Sequence, residues 1–387
     1  MKKINKIFVA CLGVLVFATT ATLLFSNPKE FSWTERRPLN VWPDFKLRSV
    51  EAGEWSKNVD SALADQFPAR DELLGLKAFT QKYTAKSDNG RVYFAKKDHL
   101  IEVNREINAK QLQQNVDDMI DFYENQFLKT NSGQRGSLVL APTLAEVGKD
   151  LLPAYAPDAN QAPLLNEAYT KSNAAGLNAP NLLEALSNKY KNLNNDENLY
   201  FRTDHHWTQL GAHTAYLAYL EESGEDLITE QYDIKKVSDS FYGTNWAKAS
   251  TKTIAPDTVY AYERDALNEV KVYNKDGQLV RKGFYNKEAL SGTDPYEYFL
   301  GANQDYIRLE NNQNGNNKRL LIFKDSFSNA FIPFLCERYT SITIVDLRYL
   351  STPVSEFLEK GEFTDLMYLY NIVTLAGDNN TYKLLQD

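Results

Sequence analysis

Cysteine and histidine are the scarcest chemically active residues in this chain. Of its 387 residues, only 2 are cysteines and 4 are histidines. Cys11 lies within a long apolar run and Cys336 lies far from it, so the sequence offers no plausible internal disulfide. Two cysteines are also too few for a zinc site built from thiolates. Any chemistry that depends on histidine must therefore be sought at a handful of positions.

The chain also has no excess of positively charged residues. The chain has 43 Lys and Arg residues against 51 Asp and Glu residues, which gives a net charge of −8 and a pI near 5.3. Binding to nucleic acid phosphates needs a basic face, so we expect no nucleic acid partner. The composition is not that of a disordered chain, because 43% of the residues are hydrophobic and 12% are aromatic. A sizeable core is expected.

The N-terminus has the pattern of an export signal. A lysine-rich head precedes Ile7–Phe25, an apolar run without charges that is long enough to cross a bilayer as a helix. No good small-x-small cleavage site follows it, so we predict an uncleaved signal anchor at residues 1–26, with the rest of the chain outside the cytoplasmic membrane. Secretion after cleavage is the alternative. Lipidation at Cys11 is disfavoured, because few apolar residues precede it.

The segment 27–86 is predicted to join this anchor to the main domain. Residues 27–50 have three prolines and no apolar period, which indicates an extended tether. Apolar residues then recur every three or four positions, a pattern typical of amphipathic helices that bury one face. The predicted buried stripes are Trp55, Val59, Leu63 and Phe67, then Leu73, Leu76, Phe79 and Tyr83.

Residues 87–387 have the pattern of an α/β domain. Short, continuous apolar runs predict strands buried on both faces, and helical segments separate them. The predicted strands are 137–142, 319–323, 342–345 and 366–370, and the predicted helices include 209–222, 329–339 and 354–360. Residues of about 223–317 interrupt this alternation and are predicted to be an irregular, antiparallel insertion over one edge of a parallel sheet.

A candidate nucleophile follows one of these strands. In RLLIFKDSFSNAF, the apolar strand ends at Phe323, and Ser326 stands in the turn that leads into a helix. Sites in α/β sheets form beyond the carboxyl ends of the strands, where the first turn of a helix also offers free N–H groups. The same arrangement is also common as a simple turn and cap, so Ser326 alone does not identify a site.

The segment YFRTDHHWTQLG supplies a candidate base. A serine hydroxyl needs a base to take its proton, and that base needs a carboxylate to hold one tautomer. Asp204 stands two residues before His206, in a turn before a predicted helix with Thr208 as its N-cap. The structural alternative is a packed turn. His99 and His213 are predicted to be structural histidines.

These two segments resemble the DHHW family of exported bacterial proteins. ERRPLNVWPDF, DQFPARD, DSFYGTNWAK and DLRY fit further motifs of that family. The layout is more distantly similar to the alginate O-acetyltransferases of the SGNH hydrolase superfamily. The resemblance implies a flavodoxin-like, SGNH hydrolase-like three-layer parallel sheet, circularly permuted, because the Asp-His motif precedes the serine.

The resemblance also implies a catalytic role for each motif residue. Ser326 would be the nucleophile, His206 the general base and Asp204 its orienter. Lys324 replaces the glycine of the usual Gly-Asp-Ser motif, and it is a substrate or oxyanion candidate together with His205 and Asn371. The implied activity is an extracytoplasmic O-acyltransferase or esterase that acts on acyl groups of a cell-surface or secreted polysaccharide, without a cofactor or metal. A multispanning membrane protein would supply the acyl groups.

Two alternatives have other chemistry. Asp-His-His is also the signature of a manganese-dependent phosphoesterase family, but that reaction needs further Asp or His ligands, and no Asp-x-Asp turn precedes the motif. The second alternative is a catalytically inactive, SGNH-like protein that binds glycans or serves as a scaffold in cell-envelope assembly. A single sequence does not separate this alternative from the enzyme.

Overall fold

A computed structural model of the chain describes residues 2–84, 86–130, 135–194, 197–226, 232–251, 253–292, 294–311, 317–360 and 363–386. The chain divides into two compact units. The first unit comprises residues 1–89 and 246–255, and the second comprises residues 90–245 and 256–387.

The helices and strands of the described residues are numbered along the chain. The helices are α1 (Lys2–Phe25), α2 (Leu47–Glu51), α3 (Glu54–Asp65), α4 (Arg70–Tyr83), α5 (Ala109–Phe122), α6 (Leu128–Thr130), α7 (Leu144–Val147), α8 (Ala162–Ala174), α9 (Leu182–Lys191), α10 (Gln209–Ser223), α11 (Thr244–Ala249), α12 (Asp265–Asn268), α13 (Ile332–Leu335), α14 (Ser355–Lys360) and α15 (Ile372–Gly377). The strands are β1 (Phe31–Ser32), β2 (Arg37–Pro38), β3 (Val92–Phe94), β4 (Leu100–Glu102), β5 (Arg135–Ala141), β6 (Leu177–Asn178), β7 (Asp233–Phe241), β8 (Asp257–Glu263), β9 (Lys271–Tyr273), β10 (Leu279–Lys282), β11 (Tyr306–Glu310), β12 (Arg319–Lys324), β13 (Ser341–Val345) and β14 (Asp365–Asn371).

The first unit combines an apolar N-terminal helix with a small helical body. Helix α1 contains a stretch, Ile4–Phe25, that is long and apolar enough to cross a membrane, and none of it is buried. The following segment is not the extended tether that its sequence predicts, because β1 and β2 pair as an antiparallel ribbon and α2 follows. Residues from two of the N-terminal motifs meet here: Arg37 forms a bidentate pair with the buried Asp65.

The predicted apolar stripe of α4 is exposed, so its prediction as core is wrong. The side chains of Leu73, Leu76, Phe79 and Tyr83 are 48%, 59%, 45% and 65% exposed. The small residue Ala78 is instead the buried position of this helix. The small body has too few elements to cover every apolar face of its helices.

The second unit is built on an eight-stranded sheet in the order β10-β9-β11-β13-β12-β14-β5-β6. Within the series β13-β12-β14-β5-β6 each strand is parallel to the next, as the apolar runs predict. Strands β9, β10 and β11 run antiparallel and extend the same sheet at its edge. The sheet is therefore mixed: antiparallel strands that the sequence predicts over one edge of a parallel sheet are part of the sheet itself. Part of the predicted insertion, including 227–231 and 312–316, lies outside the described residues.

Helices cover both faces of this sheet. Alternate residues of β14 enter two different clusters: Met367 and Leu369 pack on one face, and Leu366, Tyr368 and Tyr370 pack on the other. Helices α9 and α10 contribute to the first cluster, whereas α5, α8 and α15 contribute to the second. This double burial explains why the central strands are continuously apolar.

Candidate active site

The candidate nucleophile stands where β12 ends at the carboxyl edge of the sheet. Asp325 follows the strand, and its backbone N–H donates to Leu369 O on β14 at 3.1 Å. Its carboxylate accepts the Phe327 N–H at 2.9 Å and the Asn371 N–H at 2.8 Å, which fixes the turn at both ends. Burial raises the pKa of Asp325. Ser326 then begins a 3-10 turn, Ser326–Ala330, and remains half-buried.

The candidate base stands on a tight turn before α10. Tyr200 and Trp207 form an antiparallel bridge, and the Phe201 N–H donates to His206 O at 3.1 Å. Thr208 is the N-cap, as its sequence predicts, because its Oγ1 accepts the Gly211 N–H. A Cβ on Gly211 would lie 2.2 Å from Leu199 O, so only glycine lets the helix start this close to the turn.

The structure brings Asp204, His206 and Ser326 into one hydrogen-bonded line. His206 Nδ1 lies 2.5 Å from Asp204 Oδ1, and His206 Nε2 lies 2.7 Å from Ser326 Oγ. The carboxylate accepts a hydrogen bond from Nδ1–H, so Nε2 is left with the lone pair that can accept the serine proton. Asp204 and His206 are both buried, at 3% and 5% exposure. The arrangement has the geometry of a nucleophile, a base and an orienting acid.

The second carboxylate oxygen of Asp204 is held by the DSFYGTNWAK motif. The Thr244 N–H and hydroxyl donate to Asp204 Oδ2 at 2.6 Å and 3.0 Å. Burial alone would raise the pKa of Asp204, but the neighbouring His205 and His206, together with the hydrogen bonds that His206 donates, hold it well below its usual range. Gly243 permits this approach, because a Cβ there would lie 2.2 Å from the Asp204 Cβ. Neither Thr244 nor Gly243 is predicted from the sequence.

A second buried carboxylate fixes the backbone that leads into the turn. Asp257 accepts the Arg202 N–H at 3.1 Å, the Thr203 N–H at 2.8 Å and the Thr203 hydroxyl at 2.6 Å. Thr203 Oγ1 in turn accepts the Gly243 N–H at 3.0 Å. Asp204 and His206 are therefore placed by a continuous hydrogen-bond network rather than by the turn alone.

Two aromatic residues join the base to the nucleophile turn. Trp207 is fully buried, and its Nε1–H donates to Phe327 O at 2.8 Å. The Tyr296 ring stacks on the His206 ring at 3.9 Å with 10° between the planes, and its hydroxyl donates to Ser326 O at 3.1 Å. Trp207 fits its predicted packing role. The only sequence signal for Tyr296 is an aromatic-rich segment, PYEYF.

The remaining candidate residues are placed differently. His205 is partly exposed, with Nδ1 2.7 Å from Thr244 Oγ1, and its ring lies 3.9 Å from that of His206. Lys324 is buried and donates to Asn303 and Asn329, and desolvation lowers its pKa to about 8. Asn371 caps α15 through Oδ1 and donates from Nδ2 to Ala141 O, so both ends of its amide have partners.

The same turn holds the candidate metal cluster of the described residues. Ligand atoms of Asp204, His205 and His206 lie within 4.8 Å of one another. However, both nitrogens of His206 make the contacts with Asp204 and Ser326, and both oxygens of Asp204 accept hydrogen bonds. A metal would have to displace these contacts, so the donor set fits the proton relay better than an ion.

Comparison with known proteins supports the resemblance found in the motifs. The family described as DHHW protein matches residues 171–345, a range that contains the Asp204 turn and Ser326. A DHHW family protein from Eubacterium siraeum has a similar structure, with a TM-score of 0.61 and 23% identity over 77% of this chain and 95% of that one. The resemblance to the DHHW family is confirmed. None of the curated proteins matches the chain significantly.

Two further solved structures are similar. Bacillus cereus PatB1, in a structure with a sulfonyl adduct, has a TM-score of 0.57 and 20% identity over 73% of this chain and 96% of that one. The O-acetyltransferase domain of Pseudomonas putida AlgJ has a TM-score of 0.46 and 13% identity over 75% of this chain and 93% of that one. The Eubacterium siraeum and PatB1 similarities show a shared α/β fold.

Proposed function

Because the chain matches the DHHW family over residues 171–345, we propose that its second unit is an SGNH-like serine O-acyltransferase or esterase. It would act on the acyl groups of a cell-surface or secreted polysaccharide, with acetyl as the acyl group. The observation that carries this proposal is the relay from Asp204 through His206 to Ser326, with contacts of 2.5 Å and 2.7 Å. The order of these residues along the chain fits a circularly permuted SGNH-like arrangement.

The relay supports a two-step acyl transfer. His206 Nε2 takes the Ser326 hydroxyl proton as Oγ attacks the acyl carbonyl, and the imidazolium is stabilised by Asp204. His206 then gives that proton to the leaving oxygen, and the acyl group stays on Ser326 as an ester. A sugar hydroxyl or water next loses its proton to His206 and attacks this ester, which releases Ser326 with its own proton restored.

Helix α1 fits a location at the outer face of a membrane. Its apolar stretch Ile4–Phe25 is the length of a single span, and the lysines that precede it favour the cytoplasmic side. In this placement the second unit reaches polysaccharides outside the cell, and a multispanning membrane partner supplies the acyl groups. Secretion after cleavage of this segment would give the same unit without its anchor.

The test uses the full-length protein in detergent with an aryl acetate and, separately, an arylsulfonyl fluoride. We expect a burst of aryl alcohol and one acetyl or sulfonyl adduct per chain, localised to Ser326 by peptide mass analysis. Ser326→Ala should lose both adducts, and His206→Ala should lose turnover. Asp204→Asn should lower kcat by less than either, because the base remains in place.

The control is the circular dichroism melt of each variant, which should match that of the wild-type protein within a few degrees. Equal turnover in the wild-type protein and all three variants would refute the triad. A folded wild-type protein that forms no adduct and releases no ester would instead favour the non-catalytic glycan-binding or scaffold role.

A further inference from the structure

The proposed reaction needs a group that stabilises the oxyanion formed on the acyl carbonyl, and the relay does not supply one. Removing one donor from such a site typically lowers kcat by about 10² to 10³. The Ser326 backbone N–H is one candidate donor. It is the first N–H of its turn and has no acceptor among the described residues. A second donor must come from a side chain whose N–H is fixed and unused.

Asn329 has the required position. Ser326 and Asn329 occupy the first and fourth positions of the 3-10 turn Ser326–Ala330. In a 3-10 helix three residues complete one turn, so side chains three positions apart lie on the same side. Asn329 is only 3% exposed, so its amide lies inside the protein, on the turn that begins with Ser326.

The orientation of the Asn329 amide is fixed by Lys324. Lys324 Nζ lies 2.9 Å from Asn329 Oδ1 and 2.9 Å from Asn303 Oδ1, and the lysine is itself 1% exposed. An ammonium group donates and never accepts, so the amide must turn its oxygen to Lys324 and its NH₂ group away. Within the part of the chain that the structure describes, no protein acceptor is bonded to Asn329 Nδ2.

We propose that Asn329 Nδ2 and the Ser326 N–H together bind the oxyanion, and that Lys324 is a positioning residue that holds the Asn329 amide. This inference rests on the proposed function. It gives Lys324, a substrate or oxyanion candidate in the sequence, a supporting role in place of direct contact with the substrate. Asn371, the sequence-based candidate, uses its amide to hold the strand end, because Nδ2 donates to Ala141 O and Oδ1 caps α15.

The decisive variant is Asn329→Asp, which replaces one NH₂ group by an oxygen and keeps the oxygen that faces Lys324. If Asn329 only holds Lys324 in place, the new carboxylate should hold it at least as well, and turnover should be retained. If Nδ2 binds the oxyanion, an acceptor now faces the developing negative charge. We then expect kcat for the aryl acetate to fall by at least about 10²-fold, with KM changed by less than about threefold.

Two matched variants complete the experiment. Asn303→Asp changes the other partner of Lys324 in the same way, and it should keep kcat within about threefold. Asn329→Ala removes the donor without adding charge, and it should lower kcat by about 10² to 10³. The thermal melt of each variant should remain close to that of the wild-type protein.

The possible outcomes separate this inference from the proposed function. Serine-dependent turnover that persists in Asn329→Asp would overturn the oxyanion assignment and leave the triad standing. An equal fall in kcat in Asn329→Asp and Asn303→Asp would mean that Asn329 acts only as a partner of Lys324. This result would also overturn the oxyanion assignment. A folded wild-type protein without Ser326-dependent turnover would remove both proposals together.

Discussion

At the scale of single residues, the carboxylate of Asp204 has no freedom to rotate. Oδ1 accepts the backbone N–H and Nδ1–H of His206, and Oδ2 accepts the backbone N–H and hydroxyl of Thr244. Burial would raise the pKa of Asp204, but His205 and His206 lower it well below its usual range. The lowered pKa therefore holds Asp204 in its ionised form beside His206.

This arrangement makes Gly243 a sensitive position, although it carries no reactive group. In Gly243→Ala, the new Cβ would lie 2.2 Å from the Asp204 Cβ and 2.4 Å from Oδ2, so the carboxylate must shift. A shift of about 1 Å in a catalytic group costs on the order of 10²-fold in rate. We expect a loss of this size in kcat for the aryl acetate. Gly377→Ala is the control, because its Cβ meets nothing within 4 Å, and unchanged kcat in both variants would contradict the tight fit.

His213 should make the protein sensitive to acid. Its ring lies among Tyr216, Tyr232, Tyr262 and Phe334, and desolvation lowers its pKa from 6.5 to about 4. Between pH 6.5 and about 4 the unfolded chain binds a proton that the folded chain does not, so stability falls as pH falls through this range.

We expect the free energy of unfolding of His213→Leu to depend less steeply on pH in this range. The slope should be smaller than that of the wild-type protein by up to about 1.4 kcal/mol per pH unit. Urea unfolding of both proteins at several pH values across the range measures the difference in slope. Some acid sensitivity should remain, because burial also lowers the pKa of His99. Parallel stability curves for the two proteins would show that His213 is accessible to protons in the folded state.

The sequence predicts the three residues of the proposed relay better than it predicts the residues that hold them in place. Asp204, His206 and Ser326 stand in short motifs whose residue types fit one reaction, and the structure brings them together. Thr244 contacts Asp204 through its backbone N–H, and the role proposed for Asn329 depends on the orientation of its amide. The residue type reveals neither of these. Such contacts depend on how distant segments approach each other, so only the folded structure shows them.

At the scale of elements, periodicity predicts a helix more reliably than it predicts which face is buried. Helix α4 forms where its apolar period predicts, yet the stripe containing Leu76 is exposed and Ala78 is buried at 2%. Similarly, the apolar runs predict β5, β12, β13 and β14, because strands buried on both faces need such runs. The three-residue strand β9 and the alternating β11 lack that pattern, so the antiparallel edge is not predicted as part of the sheet.

The faces of α4 can be distinguished by one pair of substitutions. Leu76→Gln should change the free energy of unfolding by less than about 0.5 kcal/mol, because the side chain already contacts water. Ala78→Gln should destabilise by about 1 to 3 kcal/mol, because a larger, polar side chain must enter a packed position. Urea unfolding followed by tryptophan fluorescence measures both. A larger loss in Leu76→Gln than in Ala78→Gln would mean that the stripe is covered in solution.

At the scale of the whole molecule, retention or cleavage of α1 would determine whether the second unit stays at the membrane or is released. If α1 is an uncleaved anchor, the protein expressed in a bacterial host should remain in the membrane fraction after extraction with alkaline carbonate. Its intact mass should include residues 1–26, and a protease added to spheroplasts should digest the chain from outside. Deletion of residues 1–26 should leave the protein in the cytoplasm. A mature protein that starts after Phe25 and is found in the medium would show that the segment is cleaved.

The position of β14 in the sheet governs the order in which this chain can fold. It pairs with β5, the first strand of the sheet along the sequence, and with β12, yet it is the last of the described strands. The turn that carries Ser326 takes partners from Leu369 and Asn371 on the same strand. A chain that crosses a membrane from its N-terminal side cannot assemble these contacts until β14 has emerged. The sheet and the Ser326 turn therefore reach their final geometry together, late in folding. That step joins β5 and β14, which are far apart in the sequence.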